Sequence, residues 1–174
     1  MTDHAGLADQ IVALLPRLRR FATTLCRNPQ DVDDLVHGAV ERALNRLDSW
    51  RPGTRLDSWM FRILQNHWID QVRARKPLDD LSAADQLVGE DGRHVTETRM
   101  AMSVVRKVVA SLPEEQRAVV GLVLLDDCSY RQAAEILDIP IGTVMSRLSR
   151  AREVLQQALN ADGAAPLWKE KADQ

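Results

Sequence analysis

Apolar residues recur every three or four positions along the first part of the chain, a spacing that predicts amphipathic helices. The first helix is predicted over residues 7–25 and stops at the Asn28-Pro29 pair. The second covers residues 31–47, with acids in its first turn, where the helix dipole favours negative charge. A proline- and glycine-containing turn at 49–54 precedes a third helix over residues 56–75.

The helical spacing disappears between residues 78 and 97, where six acids accompany a single arginine. It returns near residue 98, and residues 118–125 are apolar on nearly every side, which predicts the central helix of a second unit. A short helix over 130–137, a tight turn and a long helix over 143–159 then predict a helix-turn-helix.

These patterns predict an all-α protein with two small helical domains, the second of which contains the helix-turn-helix. The predicted domains cover residues 1–77 and 98–160. A flexible acidic linker at 78–97 joins them, and a C-terminal tail covers 161–174. A chain of 174 residues with 45% hydrophobic side chains can bury a core of this kind.

Composition excludes several classes of protein. No apolar run approaches the roughly 20 residues that span a bilayer, so no membrane insertion is expected. The first 18 residues lack the features of a secretion signal, and the two cysteines, Cys26 and Cys128, suit neither a metal site nor a disulfide framework. We therefore expect a cytoplasmic protein without metal or cofactor.

The net charge of −2 argues against a nucleic-acid binder, but the charge is unevenly distributed. Residues 62–76 contain four basic residues and one acid, and residues 131–152 contain four basic residues and two acids. Because salt confines each patch to a Debye length of about 10 Å, local charge decides what a surface attracts. Both basic segments are therefore candidates for contact with nucleic acid.

The second helix of the helix-turn-helix offers hydroxyl and guanidinium groups to a DNA major groove. The candidate side chains there include Thr143, Ser146, Arg147, Ser149 and Arg150. The alternative is that these arginines only solvate a bundle helix.

A second candidate is the tryptophan-rich segment that ends in the first basic patch. Aromatic rings, amides and positive charge together are what unpaired bases require. The competing interpretation is that the rings belong to the core, and we favour it for Trp59 and Trp68, which lie on the apolar stripe. For Trp50, in the turn, both interpretations remain open.

These residues resemble the extracytoplasmic-function sigma factors of bacterial RNA polymerase. The likeness to sigma region 2 rests on Asp34-Leu35-Val36, Trp50-Arg51-Pro52 and Ser58-Trp59-Met60-Phe61-Arg62-Ile63-Leu64-Gln65-Asn66. The likeness to region 4 rests on Leu112-Pro113-Glu114-Glu115-Gln116-Arg117, Ile139-Pro140-Ile141-Gly142-Thr143-Val144 and Arg150-Ala151-Arg152. The resemblance covers about residues 7–77 and 98–159, in the family's order.

The resemblance implies a protein that binds core RNA polymerase, directs it to promoter DNA and answers to an anti-sigma factor in a stress response. Recognition of the minus-ten element is expected from Trp50, Arg51, Arg55, Arg62, Asn66, Asp70 and Arg73. Recognition of the minus-thirty-five duplex is expected from Arg131, Thr143, Met145, Ser146, Arg147, Ser149 and Arg150. Binding of core polymerase is expected from Asp31, Asp34, Leu35, Val36, His37 and Glu41.

The chain departs from the family pattern at three places, one of which is Arg131-Gln132, where acids are common. His37-Gly38-Ala39 stands where the family usually has a polar run, and a glycine there costs a helix about 1 kcal/mol. Met145 stands where a basic residue is common, which implies a different promoter preference.

Three other functions are alternatives to this one: an enzyme, an autonomous regulator and a decoy. An enzyme would need more than the His67–Asp70 pair, one helical turn apart, which has no third group at useful spacing. An autonomous regulator would use its N-terminal half to dimerise and would bind an operator tightly alone. A decoy would keep the sigma shape only to capture an anti-sigma protein.

Overall fold

The computed structural model describes residues 4–75 and 105–161. Within these residues every regular element is helical, which confirms the predicted all-α fold. The predicted linker, the start of the second domain and nearly all of the C-terminal tail lie outside the described residues.

Three helices form the N-terminal half. They are α1 (His4–Leu25), α2 (Pro29–Leu44) and α3 (Leu56–Arg75), and a single 3-10 turn, Leu47–Ser49, follows α2. Asn28 caps α2, since its side chain accepts a hydrogen bond from the Gln30 N–H at 3.2 Å, and Pro29 occupies the first turn. The predicted end of α2 at residue 47 was too late, because the helix stops at Leu44 and the chain tightens into the 3-10 turn.

Aliphatic and aromatic side chains hold these three helices together. Phe21 of α1 meets Phe61 of α3 edge to face, with ring centroids 5.5 Å apart. The other fully buried side chains here include Ile11, Leu18, Leu25, Leu35, Met60 and Leu64. The spacing that predicted the helices therefore also marked the core face.

The C-terminal half contains four helices in its described part. A helix over residues 105–111, here α4, leads to α5 (Glu114–Val120), which continues as one π-helical turn, Gly121–Leu125. The two helices of the predicted helix-turn-helix follow as α6 (Tyr130–Leu137) and α7 (Ile141–Ala161). The core of this half comes from Val119, Leu122, Ile136, Val144, Leu148 and Leu155.

The two halves are in direct contact, along a surface that we call the seam. It is formed where α5 and the π turn lie on α1, and where α6 lies beside α3. Gly121 lies on this surface, since a Cβ there would lie 2.5 Å from Thr24 Oγ1 and 2.8 Å from the Phe21 ring. Only glycine lets the backbones approach so closely at this point.

Candidate nucleic-acid and polymerase interfaces

The helix-turn-helix owes its geometry to local hydrogen bonds. Ser129 and Gln132 form a reciprocal capping box at the start of α6, with N–H to side-chain distances of 2.8 and 3.2 Å. Asp138 ends α6 in the left-handed region with φ 54°, and the Ile139 N–H donates to the Ala134 carbonyl at 3.1 Å. The fully buried Ala133 of α6 is small enough to let α7 cross closely.

The helix-turn-helix exposes most of the side chains that sequence analysis assigned to duplex DNA. Val144 and Leu148 are buried and define the inner face of α7. The exposed members of the predicted set are Arg131, Met145, Ser146, Ser149 and Arg150, while Thr143 is half-buried.

Arg147 differs from the other two arginines of the predicted minus-thirty-five set. Its guanidinium forms an ion pair with Glu115 of α5 at 2.9 Å, and its side chain is only 23% exposed. Arg131 and Arg150 make no ion pair within the described residues. Within the predicted set, the charges that remain for phosphate are therefore those of Arg131 and Arg150.

Four residues of the predicted minus-ten set share one stripe of α3. Arg62, Asn66, Asp70 and Arg73 are all exposed, and their spacing of four, four and three places them on the same helical face. Two of them already form ion pairs. Arg62 Nη2 lies 3.4 Å from Asp138 Oδ1, and Asp70 Oδ2 lies 2.8 Å from Arg42 Nη1. The Arg42 hydrogen bond lowers the pKa of Asp70.

The loop before α3 carries the rest of this set. A turn closes with a hydrogen bond from the Thr54 N–H to the Arg51 carbonyl at 3.1 Å, and Gly53 adopts the positive φ of 88° that the turn requires. Arg51 and Arg55 are exposed. Asp57 binds Arg55 at 2.7 Å, which holds the pKa of Asp57 at about 2.

The three tryptophans lie in different environments. Trp68 is buried, as the core interpretation predicted, and its Nε1 donates to Glu114 across the seam at 2.7 Å. Trp59 is half-buried and packs against the core. Trp50 is also half-buried against the core, and its Nε1 atom is buried without a partner in the described part of the chain.

The predicted polymerase surface on α2 needs one correction. Leu35 is fully buried among the core residues, so its side chain cannot contact another protein. Asp34, His37 and Glu41 are exposed, whereas Val36 and Asp31 are half-buried. Asp31 also lies 3.4 Å from Arg75 of α3.

Gly38 has a structural explanation that sequence analysis did not give. A Cβ at this position would lie 2.3 Å from His67 Nε2 of α3, so the glycine makes room for the imidazole. His67 Nε2 is 3.2 Å from Gln71 Nε2, and burial, with help from Arg42, lowers the pKa of the ring. His67 therefore belongs to the contact between α2 and α3 and not to an acid–base pair with Asp70.

The ionic contacts of the seam were also missed. Arg17 of α1 binds Asp126 through two hydrogen bonds, Nε to Oδ1 at 3.0 Å and Nη2 to Oδ2 at 2.6 Å. Arg17 additionally reaches Asp57 at 3.2 Å and lies 5.4 Å from the Phe61 ring centroid. The only sequence signal is an acid that directly ends the apolar run 118–125, and its partner is 109 positions away.

The described residues include candidate metal-ligating side chains and two cysteines. No three His, Cys, Asp or Glu side chains among them are grouped so that they could hold a metal ion. Cys26 and Cys128 are free and buried, and burial raises their pKa values to about 12 and about 11. Among the described helices, none combines the length and apolar character needed to cross a membrane.

Comparison with known proteins matches the two halves of the chain to two regions of the same family, the sigma-70 factors. Residues 11–77 match Sigma-70 region 2, and residues 103–155 match Sigma-70 region 4. The ECF RNA polymerase sigma factor EcfG of Rhodopseudomonas palustris is 37% identical, over 94% of this chain and 90% of its own length. The sigma factor SigW of Bacillus subtilis is 28% identical over 90% of both chains.

A solved structure gives the same result. The sigma factor RpoE of Bartonella quintana, crystallised with the anti-sigma factor NepR, superposes with a TM-score of 0.74 at 30% identity. The superposition covers 88% of this chain and 96% of that one.

Proposed function

The chain belongs to the extracytoplasmic-function sigma factors, non-catalytic initiation factors of bacterial RNA polymerase, and we propose a division of labour between its two halves. In this proposal residues 1–77 bind core polymerase and the minus-ten element, and residues 98–160 bind the minus-thirty-five element. The linker at 78–97 lets the two domains reach separate DNA sites, and the protein acts in the cytoplasm, where the polymerase meets the chromosome.

The C-terminal half reads duplex DNA with the first turns of α7. Arg150 and Arg131, which have no acidic partner in the described residues, bind phosphates, and Ser146 and Ser149 face the groove. Arg147 contributes only if it leaves Glu115. The support for this assignment is the exposure of these side chains on one side of a capped, tightly turned helix-turn-helix.

The N-terminal half reads the minus-ten element along the α3 stripe and the loop before it. Asn66 offers an amide to an unstacked base, while Arg62 and Arg73 follow the backbone. Arg62 must first exchange Asp138 for a phosphate, a small cost because this ion pair is exposed. Unstacking a base costs a few kcal/mol, which stacking and amide contacts can offset.

The exposed residues of α2 form the polymerase-binding surface. Asp34, His37 and Glu41 supply its polar contacts, and Leu35 supports the helix from within. The close contact between Gly38 and His67 fixes α2 against α3, so the polymerase surface and the minus-ten stripe keep one relative orientation.

Control by an anti-sigma factor, in a stress response, completes the proposal. The 30% identity to a sigma factor crystallised with its anti-sigma factor supports this part. A decoy would also bind such an inhibitor, but it would not start transcription.

The observation that carries the proposal is the presence, on one chain, of an exposed polar α3 stripe and a separate helix-turn-helix with unpaired arginines. Run-off transcription tests it directly. Purified core polymerase is incubated with genomic promoter fragments, with and without the protein, and the start sites are sequenced. We expect defined start sites that require the protein. Transcription that is no better with it would refute the proposal.

A pair of variants tests the division of labour. Arg150→Ala should weaken binding of the closed complex and lower its salt slope by about one unit, because one phosphate contact is lost. Asn66→Ala should impair open-complex formation more than closed-complex binding, as followed by permanganate reactivity of unpaired thymines. Equal losses in both assays for Asn66→Ala would assign that residue to folding.

A further inference from the structure

The beginning of α7 exposes two large apolar side chains one turn apart. Ile141 is 48% exposed and Met145 is 53% exposed, while Val144 and Leu148 beside them are buried. A four-residue spacing places Ile141, Met145 and Ser149 in one row along the helix. Since the inner face of α7 is already filled by other side chains, this row does not serve the core.

The surroundings of this row are polar and carry both signs of charge, with Glu153 beside Met145 and Glu135 and Asp138 beside Ile141. Met145 shares a shallow groove with Tyr130, Ser149 and Arg152, and Ile141 shares a second one with Arg131. An extended apolar partner surface would have to bury these charged and hydroxyl groups as well as the row, which is costly. A surface that carries phosphates and a small apolar feature would pair with the exposed Arg131 and Arg150 and also cover the apolar row.

Duplex DNA provides such a surface. In the major groove each base pair presents hydrogen-bonding groups, and the main apolar feature is the C5-methyl group of thymine. The N-terminal residues of the second helix of a helix-turn-helix are the ones that reach base edges. Met145 and Ile141 occupy those turns, among the serines and arginines that would position the helix.

We propose that Met145, assisted by Ile141, reads thymine methyl groups in the minus-thirty-five element. The proposal rests on the function proposed above for this half of the chain. The two side chains are separated by four residues, about 6 Å along the helix axis, which corresponds to roughly two base-pair steps of 3.4 Å. Thymines on either strand within about two steps of each other are therefore the expected target.

Replacing thymine by uracil tests this contact, because uracil keeps every hydrogen-bonding group and lacks only the methyl. The upstream element is first selected from random duplexes with holoenzyme that contains the full chain. Each selected thymine is then changed to uracil in turn, and binding of holoenzyme is measured. We expect one or two positions at which uracil weakens binding about three- to tenfold.

The variants assign the effect to a residue. Holoenzyme that contains Met145→Ala should bind the duplexes with thymine and with uracil at the sensitive position equally. The ratio of its two affinities should therefore fall to one. Val154→Ala, which removes another exposed apolar side chain from the same helix at 40% exposure, should leave binding and the ratio unchanged. Arg150→Ala should weaken all duplexes while the ratio persists.

The outcomes separate this inference from the function on which it rests. If holoenzyme selects no upstream element, the proposed function fails for this half of the chain, and the inference fails with it. If an element is selected but contains no thymine, or tolerates uracil at every position, only the methyl contact is refuted. A uracil effect that persists in Met145→Ala would overturn the assignment to Met145.

Discussion

One continuous cluster of buried apolar side chains runs through both halves of the molecule, and the seam between the halves differs from their interiors in carrying most of the buried polar groups. The buried polar or charged residues in the described part of the chain are Thr24, Gln65, Arg117 and Asp126. Thr24, Arg117 and Asp126 belong to the seam. Asp126, with a side chain 1% exposed, binds Arg17, and Arg117 donates to the Leu25 carbonyl across the seam at 3.1 Å.

This difference matters because the two kinds of contact respond differently to separation. An apolar core loses stabilising free energy when water enters, at about 25 cal/mol per Å² of apolar surface that becomes exposed. Charged groups at the seam are hydrated when the halves part, and hydration returns much of the cost of breaking their ion pairs. We therefore expect the seam to open before either half unfolds, which the proposed binding of two separate DNA elements requires.

The largest expected effect comes from breaking a core. Leu148→Ala removes a side chain that is 1% exposed at the centre of the C-terminal half. We expect the free energy of unfolding of that half to fall by about 2–5 kcal/mol. Thermal and urea unfolding, followed by helical circular dichroism, measures the loss. Val154→Ala, at an exposed position of the same helix, should change it by less than about 0.5 kcal/mol.

Breaking the seam should change the arrangement of the halves more than their folding. Arg17→Ala leaves the Asp126 carboxylate with Arg20 at 3.4 Å and the Cys128 thiol at 3.9 Å, and a buried charge that loses its main partner costs about 3 kcal/mol. Opening the seam relieves this cost, since Asp126 then reaches water. We expect a larger radius of gyration by small-angle scattering and nearly unchanged helix content.

Arg19→Ala is the matched control for this variant. Arg19 lies on the same helix and pairs with Asp33 at 2.8 Å, but both side chains are more than half exposed. Such a pair contributes about 0–1 kcal/mol, so the radius of gyration should not change. If Arg17→Ala unfolded the helices without prior separation of the halves, the proposed difference between core and seam would be wrong.

The same difference explains what the sequence could predict. The helices, their inner faces and the helix-turn-helix follow from a spacing of three and four and from local capping by Asn28 and Ser129, which can be read from neighbouring residues. The Arg17–Asp126 and Trp68–Glu114 contacts join residues 109 and 46 positions apart, and periodicity carries no information about such partners. Gly38 appeared as a helix-weakening departure because the imidazole that requires it lies on another helix.

Replacing a glycine by alanine in the interior of one half and at the seam gives a second comparison of the two contacts. Gly38→Ala, inside the N-terminal half, forces a Cβ to 2.3 Å from His67 Nε2 and should cost about 1–2 kcal/mol of unfolding free energy. His67→Ala removes the obstacle. In the His67→Ala background, Gly38→Ala should instead stabilise the protein by about 0.5–1 kcal/mol, because alanine favours a helix more than glycine does. Urea unfolding of the four proteins measures both signs.

Gly121→Ala places the same methyl group at the seam. Its Cβ would lie 2.5 Å from Thr24 Oγ1, so we expect the halves to move apart while each keeps its unfolding transition. Scattering and circular dichroism distinguish the two glycines. A loss of unfolding free energy as large as that of Gly38→Ala, with an unchanged radius of gyration, would contradict a seam that opens easily.

Lowering the pH is expected to give the smallest and most gradual loss of stability. Asp57 touches the seam through Arg17, and mainly through its hydrogen bond with Arg55 its pKa falls from 3.8 to about 2. A carboxyl whose folded pKa is depressed contributes stability that is complete above its unfolded pKa and is lost as pH falls through the folded value. The contribution of Asp57 should therefore disappear between about pH 4 and pH 2. Because Arg55 is exposed and solvent screens the pair, we expect no more than about 1 kcal/mol. Asp57→Asn should remove this part of the acid dependence, and an identical acid profile in the variant would show that Asp57 does not contribute.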